Sequence, residues 1–563
     1  MSEIQAETTV DFLIVGSGGG GLVAALEARK LGLTPLVIEK TDLVGGSTAM
    51  SGGVVWAPAN NYLLAEGVED SIEEGLTYLK AVVGDAGPAT TRERKEAFLR
   101  GSLEMIGLLE EMGVKFKYSF TPDDYTDVPG GKKSGRAIEA RITKQSSLGG
   151  WSSWLRKSPA FPLTFYMDDS KHAQLAFRRP ASFLKMLRII ARTARGRAEG
   201  EELLTLGHAL MAQILIAIQR EGIALWRNTP MTRVLVEDGE VVGVEAEREG
   251  KPLTIRSRHG VLLAAGGFSR DAALRTEHSA PPIDGGMSSA NPGDTGDALR
   301  AAVELGAATS NLDEAIWLPV PVIDGVPALV MWERSMPHSI IVDSSGARYM
   351  NESAPYMEAG QKMLARHREV DAVPSWLIID STHRRRYPFL TSPPGITPKA
   401  WLGDGGFMRK AATIEGLAEK CGIDPEGLRQ TVERFNRMAE TGVDEDFHRG
   451  ETAYDRHFSD PTNKPNPNLG AIEKGPFYAV EQYVTDVGTV GGLVADVDAR
   501  VLREDGSVIP GLYASGCSAA SVHGRIYPAP GASISNSMTF GYLAAKHAAA
   551  VAGVATQETA TTD

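Results

Sequence analysis

The chain has 563 residues, more than a single hydrophobic core serves, and that length predicts two or three domains. Hydrophobic residues at 42% and charged residues at 23% describe a soluble globular protein, and a formal net charge of -13 disfavours nucleic acid, whose phosphates reward clustered positive charge. The two cysteines, Cys421 and Cys517, have no C-x-x-C spacing and join no ligand cluster, so no metal site is expected and both read as inert thiols in a reducing compartment.

The first ten residues are polar and acidic, unlike a signal peptide, and no stretch reaches the length of a membrane span; a cytoplasmic protein is expected. Phe12-Leu13-Ile14-Val15 then predicts a strand, followed by Gly16-Ser17-Gly18-Gly19-Gly20-Gly21, a helix from Gly21 to Leu31, and a second strand, Leu36-Val37-Ile38, closed by Glu39. This order is the fingerprint of a dinucleotide-binding βαβ unit. Gly16 permits the tight turn, Gly18 lets the backbone approach a pyrophosphate, and Gly21 lets helix and strand pack. The helix start offers unpaired N–H groups to phosphate. Glu39 is placed for the adenosine ribose hydroxyls and argues against a 2′-phosphate; Lys40 beside it is a further candidate contact. The bland alternative is a glycine-rich loop that serves helix packing alone.

A second cluster, Gly45-Gly46-Ser47-Thr48-Ala49-Met50-Ser51-Gly52-Gly53, follows at once. A nicotinamide-binding domain has no need of it. A flavin domain does, because pyrophosphate and isoalloxazine are also cradled from the next loop. The pair of clusters points to FAD as a prosthetic group, with Gly46, Ser47, Ser51, Gly52 and Gly53 as candidate contacts.

Further along, Leu103 to Met112 is apolar at helical intervals, and Phe120 to Arg136, rich in Asp, Pro and Gly, reads as a structured loop holding Tyr125. Phe177 to Arg197 interleaves Leu184, Met186, Leu187, Ile189 and Ile190 with Lys185, Arg188, Arg192 and Arg195. Such a basic amphipathic helix either lies peripherally on an anionic membrane or covers its own domain with a wet basic face. Gly207 to Glu221 predicts a long helix. Met231 to Val236 and Val241 to Val244 predict a hairpin around Glu237-Asp238-Gly239-Glu240, which Leu253 to Ser257 extends. Val261 to Phe268 reads as a buried strand returning beside the first, with Gly266 at its end as a further candidate cofactor contact.

Between 291 and 488 proline and aromatic residues increase, and this region is assigned to a substrate domain. Gly511 to Gly516 is a short strand with a glycine end. Gly531 to Ala545 is rich in Gly, Ala and Ser and suits a helix docked against a cofactor. The polar residues from about 553 to 563 are expected to fray. The expected fold is α/β: a Rossmann-like FAD-binding domain formed by residues 1–290 and 489–563, with an inserted α+β catalytic domain at 291–488.

Several motifs carry a resemblance over nearly the whole length. They are the Gly45 to Gly53 cluster, Gly346-Ala347-Arg348-Tyr349-Met350-Asn351-Glu352-Ser353, Tyr454-Asp455-Arg456, Pro465-Asn466-Pro467-Asn468-Leu469, Gly475-Pro476-Phe477-Tyr478, Gly491-Gly492-Leu493 and Gly524 through Gly541. In these the chain resembles the FAD-dependent 3-ketosteroid dehydrogenases, a branch of the fumarate-reductase-type flavoproteins, and among them the longer bacterial members that introduce the 1,2 double bond. The resemblance implies a 3-ketosteroid substrate and an external electron acceptor such as a quinone. It also implies that Tyr527 and the Gly531 N–H grip the C3 carbonyl, that Tyr356 removes a C2 proton while hydride leaves C1 for the flavin, and that Tyr125 assists by bonding to Tyr356. Gly516, Ser533 and Ile534 join the implied cofactor contacts.

Tyr356 occupies the interval after Asn351-Glu352 at which reductases of the wider group carry a proton-donating arginine. That departure argues against dicarboxylate reduction. Pro528-Ala529-Pro530-Gly531 and Ser535-Asn536-Ser537 also depart from the pattern common in the family, and His523 stands where an apolar residue is common, expected as a satisfied structural histidine. The alternatives are a 4,5-desaturase of 5α-3-ketosteroids, a fumarate-reductase-like ene-reductase, and a flavin-bearing protein without catalysis.

Overall fold

The structure, a computed structural model, describes residues 7–157, 163–328, 332–403 and 405–554; the C-terminal stretch expected to fray lies outside the described residues from 555 onward. Its centre is a six-stranded sheet in the order Arg500–Leu502, Val508–Ala514, Val261–Leu263, Phe12–Val15, Pro35–Ile38, Ala224–Trp226. All neighbours run parallel except the first pair. Leu13 pairs with Val261 on one side and Leu36 on the other, so the returning strand does lie beside the first. These strands are continuous apolar runs because both faces of a parallel sheet are covered.

The helix Gly19–Lys30 follows the first strand and is buried from Gly19 through Ala28. Its small residues matter for a specific reason. It crosses the C-terminal helix Ala532–Val551 so closely that a Cβ on Gly20 would stand 2.5 Å from the Ser537 carbonyl oxygen, and one on Gly541 would collide with the backbone of Gly20. The expected Gly- and Ala-rich helix therefore docks on the start of the chain. Glu27 is trapped in this contact, and burial pushes its carboxyl up to about 7.

The hairpin expected after residue 231 is present as Met231–Glu237 and Glu240–Arg248, extended by Lys251–Ser257. A fourth strand, Glu7–Val10, pairs parallel with the last of these. The sequence reading missed it: four residues, three of them polar, carry no period.

Within 291–488 a five-stranded sheet joins Ala315–Val320, Phe477–Thr489, Ser375–Ile379 and Ser339–Val342, with Met408–Ala411 also on Phe477–Thr489. The helix Tyr356–His367 lies on this sheet. A Cβ on Gly360 would collide with Trp317, so the helix sits close and its first residue, Tyr356, is fixed in place. The loop from Phe120 to Arg136 carries no regular element but is not loose. Buried Arg136 is paired with Asp70 and Asp123, and Asp123 also accepts from the Trp56 indole at 2.9 Å.

Candidate active site

The two glycine clusters of the N-terminal region meet in space. A Cβ on Gly46 would stand 3.5 Å from the Gly18 Cα, and the Gly19 N–H donates to Thr48 Oγ1 at 3.2 Å. Gly16 adopts φ +109°, and a side chain there would collide with the Ala264 carbonyl, so the turn needs glycine. A Cβ on Gly18 would meet nothing within 4 Å, which leaves its backbone open to a close ligand. Glu39 ends the second strand with Oε1 accepting from the Thr41 N–H at 2.9 Å and Oε2 from Ser17 Oγ at 2.6 Å. Lys40 is turned to Asp297 at 2.7 Å and Thr295 at 2.6 Å.

Ser47 reaches Asp294 at 3.3 Å and accepts from the Asn291 N–H at 3.0 Å. Ser51 accepts from the Gly53 N–H at 3.1 Å, and Gly52 lies against Met167. Gly266 abuts Asp294, and Gly516 abuts Ser537. Asp294, which sequence reasoning passed over, lies against both Ser47 and Gly266. It is fully enclosed, and burial pushes its carboxyl up to about 7.

An FAD fits this cradle on two counts. Gly19–Lys30 and Ala532–Val551 both start at glycine N-caps without a side-chain cap or an acidic residue in the first turn, so their N–H groups and positive ends are available to anionic or electron-rich atoms. The buried Ser515 Oγ, Ser535 Oγ, Asn536 Oδ1 and Thr489 Oγ1 have no partner among the described residues. Buried polar atoms of that kind are otherwise satisfied in folded proteins.

At the start of the same C-terminal helix lies the tyrosine cluster. Gly531 adopts φ +90°, and a Cβ there would stand 2.5 Å from the Val54 carbonyl oxygen, so only glycine suits it. Its N–H donates to the Tyr527 hydroxyl at 3.2 Å, and Ser533 Oγ is 3.5 Å from that hydroxyl. Ile534 is buried one residue on. The Tyr356 ring stands 5.2 Å from the Tyr527 ring at 43°, and the two hydroxyls share a hydrogen bond. Burial raises both phenols above their ordinary value, with Tyr527 and Asp124 adding to the effect at Tyr356.

Tyr125 differs from expectation. Its hydroxyl donates to Glu358, two residues beyond Tyr356, rather than to Tyr356 itself. Its backbone N–H donates to the Tyr78 hydroxyl at 3.2 Å. The first helical turn after Pro355 thus presents Tyr356 to Tyr527 and Glu358 to Tyr125.

Two further residues border the cluster and were not expected as site residues. Tyr454 is buried and its phenol is raised by burial and then by Asp124. Asp124 is buried beside Tyr125. His523 is buried against Trp56 and Phe98, as a structural histidine would be, but its Nε2 has no partner among the described residues, and burial holds the ring near 3. Tyr542 packs and bonds to Glu104 at 3.1 Å, away from the cluster. Among the described residues no group of His, Cys, Asp or Glu could hold a metal ion.

Residues 11–534 match the FAD binding domain family. The chain is 41% identical to the 3-oxosteroid 1-dehydrogenase of Mycolicibacterium smegmatis over 96% of its own length and 97% of that protein. It is 35% identical to the 4-oxocyclohexanecarboxylate 2-dehydrogenase of Sinomonas cyclohexanicum, covering 96% of this chain and 92% of the relative. Its structure matches that of the 3-ketosteroid delta1-dehydrogenase from Sterolibacterium denitrificans in complex with 1,4-androstadiene-3,17-dione. That match has a TM-score of 0.90 and 35% identity over 97% of this chain and all of that one. The α/β fold, the FAD cofactor and the oxidoreductase class are those read from the sequence, and the chain belongs to the FAD-dependent 3-ketosteroid dehydrogenase family of flavoproteins.

Proposed function

We propose that this enzyme introduces the C1–C2 double bond into ring A of 3-ketosteroids. The observation that carries the reading is the contact between two groups able to donate to one oxygen, the Tyr527 hydroxyl and the Gly531 N–H that now bonds to it, beside a second tyrosine, Tyr356. Bound FAD supplies the acceptor for the hydride that leaves C1. The chain's own residues supply the rest. Tyr527 and Gly531 turn their hydrogens to the C3 carbonyl oxygen, where enolate charge develops as C2 loses its proton. Tyr356 takes that proton. Each donor aimed at such an oxygen contributes about 3 kcal/mol in the transition state.

Tyrosine at 356, where the wider group carries an acidic guanidinium, suits removal of a proton next to a ketone rather than delivery of one to a dicarboxylate. The 4-oxocyclohexanecarboxylate dehydrogenase relative supports the same ketone-directed logic on a smaller ring. In this reading residues 291–488 close over the steroid, while 1–290 and 489–563 hold the cofactor through Gly16, Gly18, Gly21, Glu39 and the Gly46 to Gly53 loop. The test is anaerobic mixing of the holoenzyme with 4-androstene-3,17-dione, 5α-androstane-3,17-dione and 4-oxocyclohexanecarboxylate. Flavin bleaching with a 1-ene product from the first compound is expected. A 4-ene product from the second alone, or turnover of the cyclohexanone acid alone, overturns the reading.

Reoxidation by a quinone and attachment to a membrane surface form the second half of the proposal. No described helix is long and apolar enough to cross a membrane. The helix Pro180–Ala198, however, buries Ile189 and leaves Phe183, Leu184, Leu187 and Ile190 exposed, with Phe177 just before it. Arg179 and Arg188 are exposed beside them, whereas Lys185 and Arg192 are drawn to Asp169. An outward apolar stripe between cations fits an anionic bilayer that also stores quinone and steroid.

A further inference from the structure

Tyr356 as a base raises a difficulty that its surroundings make specific. Its hydroxyl is raised above the ordinary phenol value by burial, and no cation is among the groups that act on it most strongly. It therefore begins the reaction protonated. To take a proton from C2, its oxygen must give up the one it holds. Tyr527 cannot keep that proton, because its own hydroxyl is committed to the carbonyl.

One group in the cluster is free to receive it. Asp124 is 4% exposed, and neither of its carboxylate oxygens has a hydrogen-bond partner among the described residues. Leaving a buried carboxyl unpartnered costs roughly several kcal/mol, a cost tolerated where the group has a function. Its position is built rather than incidental. The Asp124 N–H donates to the Pro528 carbonyl at 3.0 Å, one residue from Tyr527, and the Tyr78 hydroxyl bonds the same carbonyl. The neighbouring Asp123 is spent on Arg136 and Trp56. The groups coupled to Asp124 by charge are Asp123 and Tyr125 on its own loop, Tyr78, Tyr356 and Glu358 on the Tyr356–His367 helix, Tyr527, and Tyr454. Arg136, which pairs with the neighbouring Asp123, is spent on that residue and on Asp70.

We propose that Asp124 acts through Tyr356 as the carboxylate that receives the tyrosine's proton during steroid desaturation. The inference rests on the 1,2-desaturation proposed above. In the step, the C2–H bond breaks and its proton forms a new O–H bond on Tyr356. The original Tyr356 hydroxyl proton ends on an Asp124 oxygen, by rotation of a hydroxyl or through one bridging water. The C1 hydrogen leaves with its electron pair. The neutral Asp124 later loses its proton toward Glu358, which is half-buried and accepts from Tyr125. Burial, followed by the charges of Asp123 and Glu358, raises the Asp124 carboxyl well above its ordinary range, so an Asp124 carboxylate holds a transferred proton more firmly than a solvated one would.

The test compares wild-type, Asp124→Asn and Asp124→Glu holoenzymes. In anaerobic single turnovers with 4-androstene-3,17-dione, wild-type flavin bleaching should accelerate as pH rises through the Asp124 ionisation. Asp124→Asn should lose that pH limb and slow by about 10²-fold or more, with FAD content and steroid Kd unchanged. Asp124→Glu should restore the limb at a shifted midpoint. Wild-type rates and an intact limb in the Asn variant overturn the inference, as does an unshifted limb in the Glu variant should Asp124→Asn fail to fold. Infrared titration of the holoenzyme checks the same group without turnover. A carboxyl band titrating well above the ordinary carboxylate range is expected in wild type and not in Asp124→Asn; its persistence in the variant, or its absence from wild type, also overturns the inference. Failure of wild type to form a 1-ene product would instead defeat the proposed function.

Discussion

The backbone N–H of Gly531 donates to the hydroxyl of Tyr527 across 3.2 Å, so the two groups proposed to grip one carbonyl oxygen stand side by side on one short turn. The turn is stiffened by Pro528 and Pro530 and ends at a glycine held at φ +90°. The stiff turn holds both groups in place, so binding a carbonyl asks only that the Gly531 N–H exchange the Tyr527 oxygen for the substrate's, and little reorganisation remains when charge develops.

Tyr527→Phe removes one of the two donors and keeps the ring that fills the cluster. Turnover of 4-androstene-3,17-dione should fall by about 10²-fold, the equivalent of roughly 3 kcal/mol for one lost oxyanion donor. A 3-deoxy steroid should not be turned over by wild type at all. Steady-state kinetics with both compounds checks this, and equal rates for ketone and deoxy steroid would contradict carbonyl activation.

Tyr356→Phe should retain FAD and steroid while losing at least about 10²-fold in kcat, because its hydroxyl acts only as the C2 proton moves. The measurement is kcat beside the steroid Kd from flavin spectral shifts. A variant that binds poorly but turns over normally would assign Tyr356 to binding instead.

Glu27 gives a pH dependence of stability. Its folded carboxyl is raised to about 7 from a reference near 4.5, chiefly by burial, with Lys30 and Lys546 opposing. A raised carboxyl binds its proton more tightly in the native state, so native stability is greatest below the unfolded value and declines as pH rises through the window from 4.5 to about 7. Glu27→Gln, neutral at every pH, should leave stability nearly unchanged at pH ~5 and raise it at pH ~8, by up to about 3 kcal/mol. Thermal melts of both proteins at the two pH values decide it; a Gln variant destabilised equally at both would show that Glu27 serves through a contact rather than a charge.

The exposed apolar stripe of Pro180–Ala198 should carry the protein to anionic liposomes at low salt and release it as salt rises. Leu187→Glu, at an exposed position, should weaken flotation without altering turnover of dissolved steroid. Equal recovery in the soluble fraction with and without liposomes would leave the helix as a cover for its own domain.

The parts of this molecule that repeat or punctuate were legible from residues alone. The glycine spacing of 16 to 21, the acidic end at Glu39 and the Asp-Gly turn of the 231–248 hairpin each impose one backbone solution. The resemblance to a known family, rather than any periodicity, singled out Tyr356 and Tyr527. Asp124 stayed hidden because the stretch Asp123-Asp124-Tyr125-Thr126-Asp127 looks like a solvated loop, and nothing in its composition separates the aspartate that pairs with Arg136 from the one left without a partner. Tyr125 was found, but its partner was not, since Glu358 approaches it from a helix more than two hundred residues later. Glu7–Val10 was missed because a short edge strand takes its identity from the partner strand, not from its own sequence.

The close crossing of Gly19–Lys30 with Ala532–Val551 has a consequence for how the protein is made. The phosphate-binding turn precedes, by some five hundred residues, the helix that braces it and the Tyr527 to Gly531 turn beside it. Until that helix has been made the glycine face of the first helix has no cover, so the two halves of the cradle can meet only after the intervening chain is in place.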